Sequence, residues 1–197
     1  MATMGTTALL LMDVQNGIVD RVPDQSGPLL DTLARARAAA RAAALPVIHV
    51  RVAFRPGTPE ISPRNLTFSA LAGSGTTAMG VDDPSTQIHP AVAPQAGDVV
   101  VIKKRVSAFT GSDLEVVLRS LDVDGLVLSG IATSGVVLST LRQAADLDYR
   151  LTVLRDGCAD ADPEVHRVLL EKVFPRQAAV LETDQWIAGL GGAAIVS

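Results

Sequence analysis

At 197 residues the chain has the length of one α/β domain, and with 48% hydrophobic but only 3% aromatic residues its core is expected from Val, Leu, Ile and Ala. A mildly acidic balance of 21 acids to 17 bases, with no basic patch interleaved with aromatics, argues against nucleic acid as a partner. The single cysteine, Cys158, excludes an internal disulfide and a Cys-rich zinc site. With no signal-peptide pattern and no apolar run near the ~18 residues of a membrane helix, it leads to a cytoplasmic expectation.

Thr7-Ala-Leu-Leu-Leu-Met-Asp13 reads as a fully buried strand, because its apolar run is continuous rather than alternating, and it ends on a carboxylate. Leu29, Leu33, Ala36, Ala40 and Ala43 share one face of a helix from about Leu29 to Ala44, with Asp31 and Arg35 as a solvent-side pair. Val47–Ala53 is the second strand. From Phe54 to Gly97 turn chemistry replaces periodicity, as in Arg55-Pro-Gly-Thr-Pro and Ala72-Gly-Ser-Gly-Thr-Thr. The scattered Phe54, Ile61, Leu66, Phe68, Leu71, Met79 and Ile88 make this an excursion that covers a site or packs on a neighbouring subunit.

Asp98–Lys103 is a third strand, also ending on a charge. Ser112-Asp-Leu-Glu115 has capping-box form ahead of the stripe Leu114, Val117, Leu118 and Leu121. A fourth strand at about Gly125–Ser129 enters a Gly/Ala/Thr/Ser turn and a helix bearing Val137, Leu141, Ala144 and Ala145. Leu151–Leu154 is the fifth strand. Asp162-Pro163-Glu164 starts a helix whose buried face is Val165, Val168, Leu169 and Val173, and Ala178–Leu181 is the sixth strand. The alternation predicts one domain over residues 1–197, a three-layer α/β/α fold with a doubly wound, mostly parallel six-stranded sheet and right-handed connections. Ligands bind such sheets outside the carboxyl ends of the strands at the switch point, where Asp13, Lys103 and the 131–136 turn should converge.

An Asp and a Lys ending neighbouring buried strands are either a proton-handling pair or an ordinary salt bridge at a sheet edge. His49, His89 and His166 share no ligand spacing, which leaves them structural or surface roles. Gly125, Gly130 and Gly135 do not form a dinucleotide fingerprint. Cys158 has no neighbouring His and reads as a small buried hydrophobe. Thr133 and Ser134 read as helix N-caps.

Several stretches together resemble the isochorismatase-like hydrolase family. They are Leu9-Leu-Leu-Met-Asp-Val-Gln-Asn16, Phe54-Arg-Pro-Gly, Ser62-Pro-Arg-Asn, Lys103-Lys-Arg-Val-Ser-Ala-Phe109, Gly130-Ile-Ala-Thr and Asp156-Gly-Cys-Ala with His166. The resemblance implies a catalytic Asp, Lys and Cys, the first two falling on Asp13 and Lys103. The nucleophile would come three residues after the turn's Thr, and there the chain has Val136. The resemblance also implies Gln15, Phe54, Ala132, Thr133 and Gly135 at the substrate and a cis peptide at Ile131–Ala132, whose turn N–H groups hold a substrate oxygen.

Many members hold a metal through an Asp-x-His and a later His. Here that run is His49-Val-Arg-Val-Ala-Phe-Arg, so neither metal nor cofactor is expected. Isochorismatases carry Tyr-Ala-His in the turn where this chain has Ala132-Thr-Ser134, so isochorismate is not the expected substrate. Without a thiol the expectation becomes either non-covalent acid/base hydrolysis of a small molecule by Asp13 and Lys103 or a catalytically silent binding or assembly protein. The family also implies a homo-oligomer, dimer or tetramer, with the long loop and Trp186–Leu190 as contact surface.

Overall fold

The structure, a computed structural model, describes residues 6–72 and 79–192. Part of the glycine-rich stretch after Ala72 therefore lies outside the described residues, as do the five residues at each terminus. Six strands form one sheet: β1 (Thr6–Met12), β2 (Val47–Val52), β3 (Val99–Lys103), β4 (Val123–Ile131), β5 (Arg150–Ala159) and β6 (Ala179–Leu181). Their order is β3-β2-β1-β4-β5-β6, and every neighbouring pair is parallel. The chain winds from β1 outward through β2 and β3, then returns to lay β4 on the other side of β1. The switch point therefore lies between β1 and β4.

The continuous apolar runs are explained by cover on both faces. On one face, Ala8, Leu10 and Met12 of β1 pack with Ile48, Val50, Val101 and Leu128 beneath α4 (Leu114–Ser120) and α5 (Leu138–Asp146). On the other, Leu9, Leu11, Val127 and Leu154 meet α2 (Pro23–Ala42) and α7 (Thr183–Gly192). Each large side chain removed from water here contributes roughly 1.5–3 kcal/mol. A short helix, α1 (Asn16–Val19), links β1 to α2.

Several expectations shift. α2 starts at Pro23 and carries Pro28 inside it. Its buried face is Leu29, Leu30, Leu33, Ala36 and Ala40, while Ala43 is its exposed C-cap. Arg35 pairs with Asp184 of α7 rather than with Asp31. Ser112 Oγ donates to the Ala108 carbonyl at 2.6 Å and accepts from the Leu114 N–H at 3.2 Å, while Glu115 pairs with Arg119, so no reciprocal capping box forms. Leu121 is exposed. α6 (Pro163–Val168) is capped by the Asp162 side chain as its sequence predicts. Its own residues are not buried, and Val165 is exposed; a wider π turn at Leu169–Val173 rephases the helix so that Leu169, Leu170 and Phe174 face the core. Trp186, expected as an intermolecular contact, is buried within the chain's own core.

The 54–97 excursion is tied back to the sheet. It carries α3 (Leu66–Ala72) and two 3-10 turns, Pro84–Thr86 and Pro90–Val92, the second capped by His89 Nδ1. Phe54 N–H donates to the Met79 carbonyl at 2.8 Å, and Phe54 and Phe68 pack edge to face at 5.4 Å. No helix among the described residues is long and apolar enough to cross a membrane.

Candidate active site

Asp13 follows the last residue of β1 in a left-handed conformation, φ +57°, which Asp tolerates better than most residues. Its N–H donates to the Val50 carbonyl at 2.8 Å, which fixes the backbone against β2. Lys103, the last residue of β3, lies two strands away, and its long side chain reaches past β2 to bring Nζ within 2.9 Å of Asp13 Oδ2. The same ammonium donates to the carbonyls of Arg105 at 2.9 Å and Val106 at 3.1 Å, so its three donors are all matched. Both residues are almost fully buried. Desolvation pushes the Asp13 carboxyl up to about 6, against the opposing pull of Lys103, and leaves Oδ1 buried without a hydrogen-bond partner.

β4 delivers the turn from across the switch point. Gly130 pairs with Met12 at φ +131°, where a Cβ would fall 2.0 Å from the Met12 carbonyl oxygen; only glycine permits that approach. The Ile131–Ala132 peptide is cis, and Thr133–Val137 follows as a π turn that leads into α5. Asp160, just past β5, receives the Ser134 N–H on Oδ2 at 2.7 Å and the Asp162 N–H on Oδ1 at 3.2 Å. The N–H groups of Gly135 and Val137 donate to the Ala132 carbonyl. Three turn amides expected to hold a substrate oxygen are thus already engaged within the protein.

Between these parts lies a cavity of about 350 Å3. Asp13, Lys103, Ala132, Gly135 and Val136 line it together, as do Phe68 and Met79 from the excursion, which thereby covers the site. Val136 is 2% exposed and places methyl groups where the family resemblance puts a nucleophile.

Three residues expected at the substrate are not among its lining. Gln15 is fully buried, with its amide accepting from the Val52 N–H at 2.8 Å and donating to the carbonyls of Val52 and Thr86, so it ties β2 to the 84–86 turn. Phe54 is buried behind Phe68. Thr133 is fully buried; instead of capping a helix, its hydroxyl contacts His166 Nδ1 at 2.8 Å, and the N-cap position is Ala132 with no side-chain cap. Ser134 likewise contributes its N–H rather than a capping hydroxyl. Cys158 lies inside β5 opposite Gly130, not beyond a strand end, and burial pushes its thiol up to about 12, which keeps it unreactive.

Two charged lining residues escaped sequence reasoning, Arg21 and Asp160. Asp160 lies six residues beyond the expected end of the fifth strand, and Arg21 sits in the α1–α2 link, where nothing in the spacing points to a site. No group of three or more His, Cys, Asp or Glu side chains among the described residues is placed to hold a metal ion.

Known proteins show the same assembly. An uncharacterized isochorismatase family protein of Bacillus subtilis, YwoC, is 33% identical over 181 residues, 92% of each chain. The ureidoacrylate amidohydrolase RutB of Pseudomonas syringae pv. syringae is 33% identical, covering 94% of this chain and 81% of its own. A solved structure, an isochorismatase family protein from Burkholderia thailandensis, superposes with a TM-score of 0.82 at 31% identity over 96% of this chain and 100% of that one. The isochorismatase domain itself matches residues 7–185, so strands, switch point and turn all fall inside it, and the chain belongs to the isochorismatase family of hydrolases.

Proposed function

We propose that this chain is a hydrolase of a small molecule that works without a covalent intermediate, with Asp13 as acid and then base and Lys103 as its positioning partner. The observation that carries this reading is Asp13 Oδ1: a buried oxygen without a partner, on a carboxyl group that lines the cavity, while Lys103 occupies Oδ2. Lifted to about 6, that carboxyl is divided between acid and carboxylate near neutral pH, as a group that must both give and take a proton requires. Val136 offers no lone pair, so the thioester route of Cys-containing relatives has no counterpart at that position.

For a vinyl ether the steps balance as follows. The acid form of Asp13 gives its proton to the enol carbon, water adds to the oxocarbenium carbon and returns a proton to the Asp13 carboxylate, and the hemiketal collapses to a carbonyl compound and an alcohol. For an amide or ureide, the chemistry named for the RutB relative, the Asp13 carboxylate would take the proton of the attacking water and pass it to the leaving nitrogen. Assays of vinyl ethers, amides and ureides with the wild type and Asp13→Asn test the proposal. Turnover by the wild type should fall by about 10²–10⁴ in the variant; equal turnover by both rejects the reading.

Val136 also supports a second reading, a catalytically silent member that binds a small molecule, because an apolar side chain closes the attack position. A compound from the same panel that raises the melting temperature while no product forms would favour it. Product formation abolished by Asp13→Ala would sink it.

A further inference from the structure

We propose that the cavity takes a small anion, a monocarboxylate with a compact apolar body, and that Arg21 is the residue that recognises its charge. This names the substrate class of the site described above and rests on the proposed function only for what happens to the ligand after it binds.

The lining contains four charged residues, and three of them are already matched. Asp13 and Lys103 neutralise each other at 2.9 Å. Asp160 uses both oxygens on backbone N–H groups of the turn and its flank, at 2.7 and 3.2 Å. Arg21, by contrast, forms no ion pair and no side-chain hydrogen bond among the described residues. A ligand entering the cavity therefore meets one uncompensated charge, and it is positive. An amine or other cation would find no free carboxylate to pair with, because the remaining lone acceptor, Asp13 Oδ1, belongs to a neutral pair.

The base of Arg21 is fixed although its head reaches water. Its N–H donates to the Ile18 carbonyl at 3.0 Å, the next N–H to the Val19 carbonyl at 3.0 Å, and Val19 and Val22 on either side are buried. A guanidinium held this way can grip a carboxylate with two parallel N–H donors. Across the cavity the walls are apolar, among them Val52, Phe68, Met79, Val106 and Val136. The volume, about 350 Å3, is at the small end of ligand pockets, which excludes an extended body.

Pairs of probes that differ only in charge test the assignment: crotonate against crotonamide, and phenylacetate against phenylacetamide, titrated into the full chain by calorimetry or ligand-observed NMR. The wild type should prefer each carboxylate by about tenfold, and added salt should shrink the preference because Arg21 is exposed. Arg21→Gln should erase the preference while amide affinity and melting temperature stay as they were, and Arg21→Lys should restore part of it. Equal binding of carboxylate and amide by the wild type, a preference that survives Arg21→Gln, or no carboxylate binding at millimolar concentration overturns the proposal. The two proposals fail separately. Carboxylate binding through Arg21 with no product from any substrate defeats the acid mechanism alone, and turnover that depends on Asp13 but favours neutral substrates defeats the charge assignment alone.

Discussion

Two buried acid–base pairs lie in the same half of the sheet and have opposite uses. At the carboxyl ends of the strands Asp13 meets Lys103; at the amino end of β3 Asp98 meets His49 of β2, Nε2 to Oδ2 at 3.3 Å. Burial drives members of both towards neutrality, lifting the Asp13 carboxyl and lowering the His49 imidazole. Asp98 is saturated, with Arg41 on one oxygen and the Gln95 N–H on the other besides His49. Asp13 keeps one oxygen free, and it lines a cavity. Desolvation alone therefore does not mark a catalytic group. What separates the pairs is whether the unsatisfied atom has room beside it for another molecule; His49, whose Nδ1 is also without a partner, does not line the cavity of the active site.

The contrast can be broken hardest at Lys103. Lys103→Met strands a carboxylate in the interior, and should cost about 3–5 kcal/mol in urea denaturation at pH 8. The loss should shrink at pH 5, where the lone Asp13 takes up a proton; an equal loss at both values would show that the pair is not what is being broken. Next in size is the pH dependence of the wild type itself. Because the folded Asp13 holds its proton up to about pH 6 while the unfolded chain releases it near pH 4, stability falls as pH rises through that window. The difference between wild type and Asp13→Asn should decline by up to about 3 kcal/mol across it. A flat difference refutes the raised value.

His49 has the opposite sign and the smallest effect. Its folded value is lowered, so below the ordinary imidazole value the unfolded chain binds the proton more readily, and stability falls as pH falls. The contribution is full above that value and has a slope of at most about 1.4 kcal/mol per pH unit for one proton. The nearby Asp98 carboxylate opposes part of the burial effect. Against His49→Gln, the wild type should lose stability between pH 7.5 and 5.5 faster than the variant, and parallel curves would remove His49 from the account.

Much of the site was legible because it lies where strands end. The continuous run Thr7–Met12 points to a buried parallel strand, and a carboxylate straight after it has one place to go; the same logic reaches Lys103. Local logic failed where a side chain is satisfied by something distant in sequence. Thr133 reads as a cap until His166, 33 residues on, takes its hydroxyl, and Gln15 reads as a ligand residue until Val52 and Thr86 take its amide. Arg21 was illegible for the complementary reason. Its distinction is having no partner while it lines a cavity, a property of the assembled surroundings that no spacing encodes.

Gly130 sets the tolerance of the whole arrangement. With β1 and β4 so close that a single methyl group would meet the Met12 carbonyl at 2.0 Å, the residue works as a gauge block between the acid on one strand and the turn on the other. A side chain of any size there would act as a shim, widening the gap between Asp13 and the 131–136 turn before it touched either. The alignment of this hydrolytic site thus depends on an atom that is absent, and a change to Ala at position 130, far smaller than any loss of a reacting group, would misalign every part of it at once.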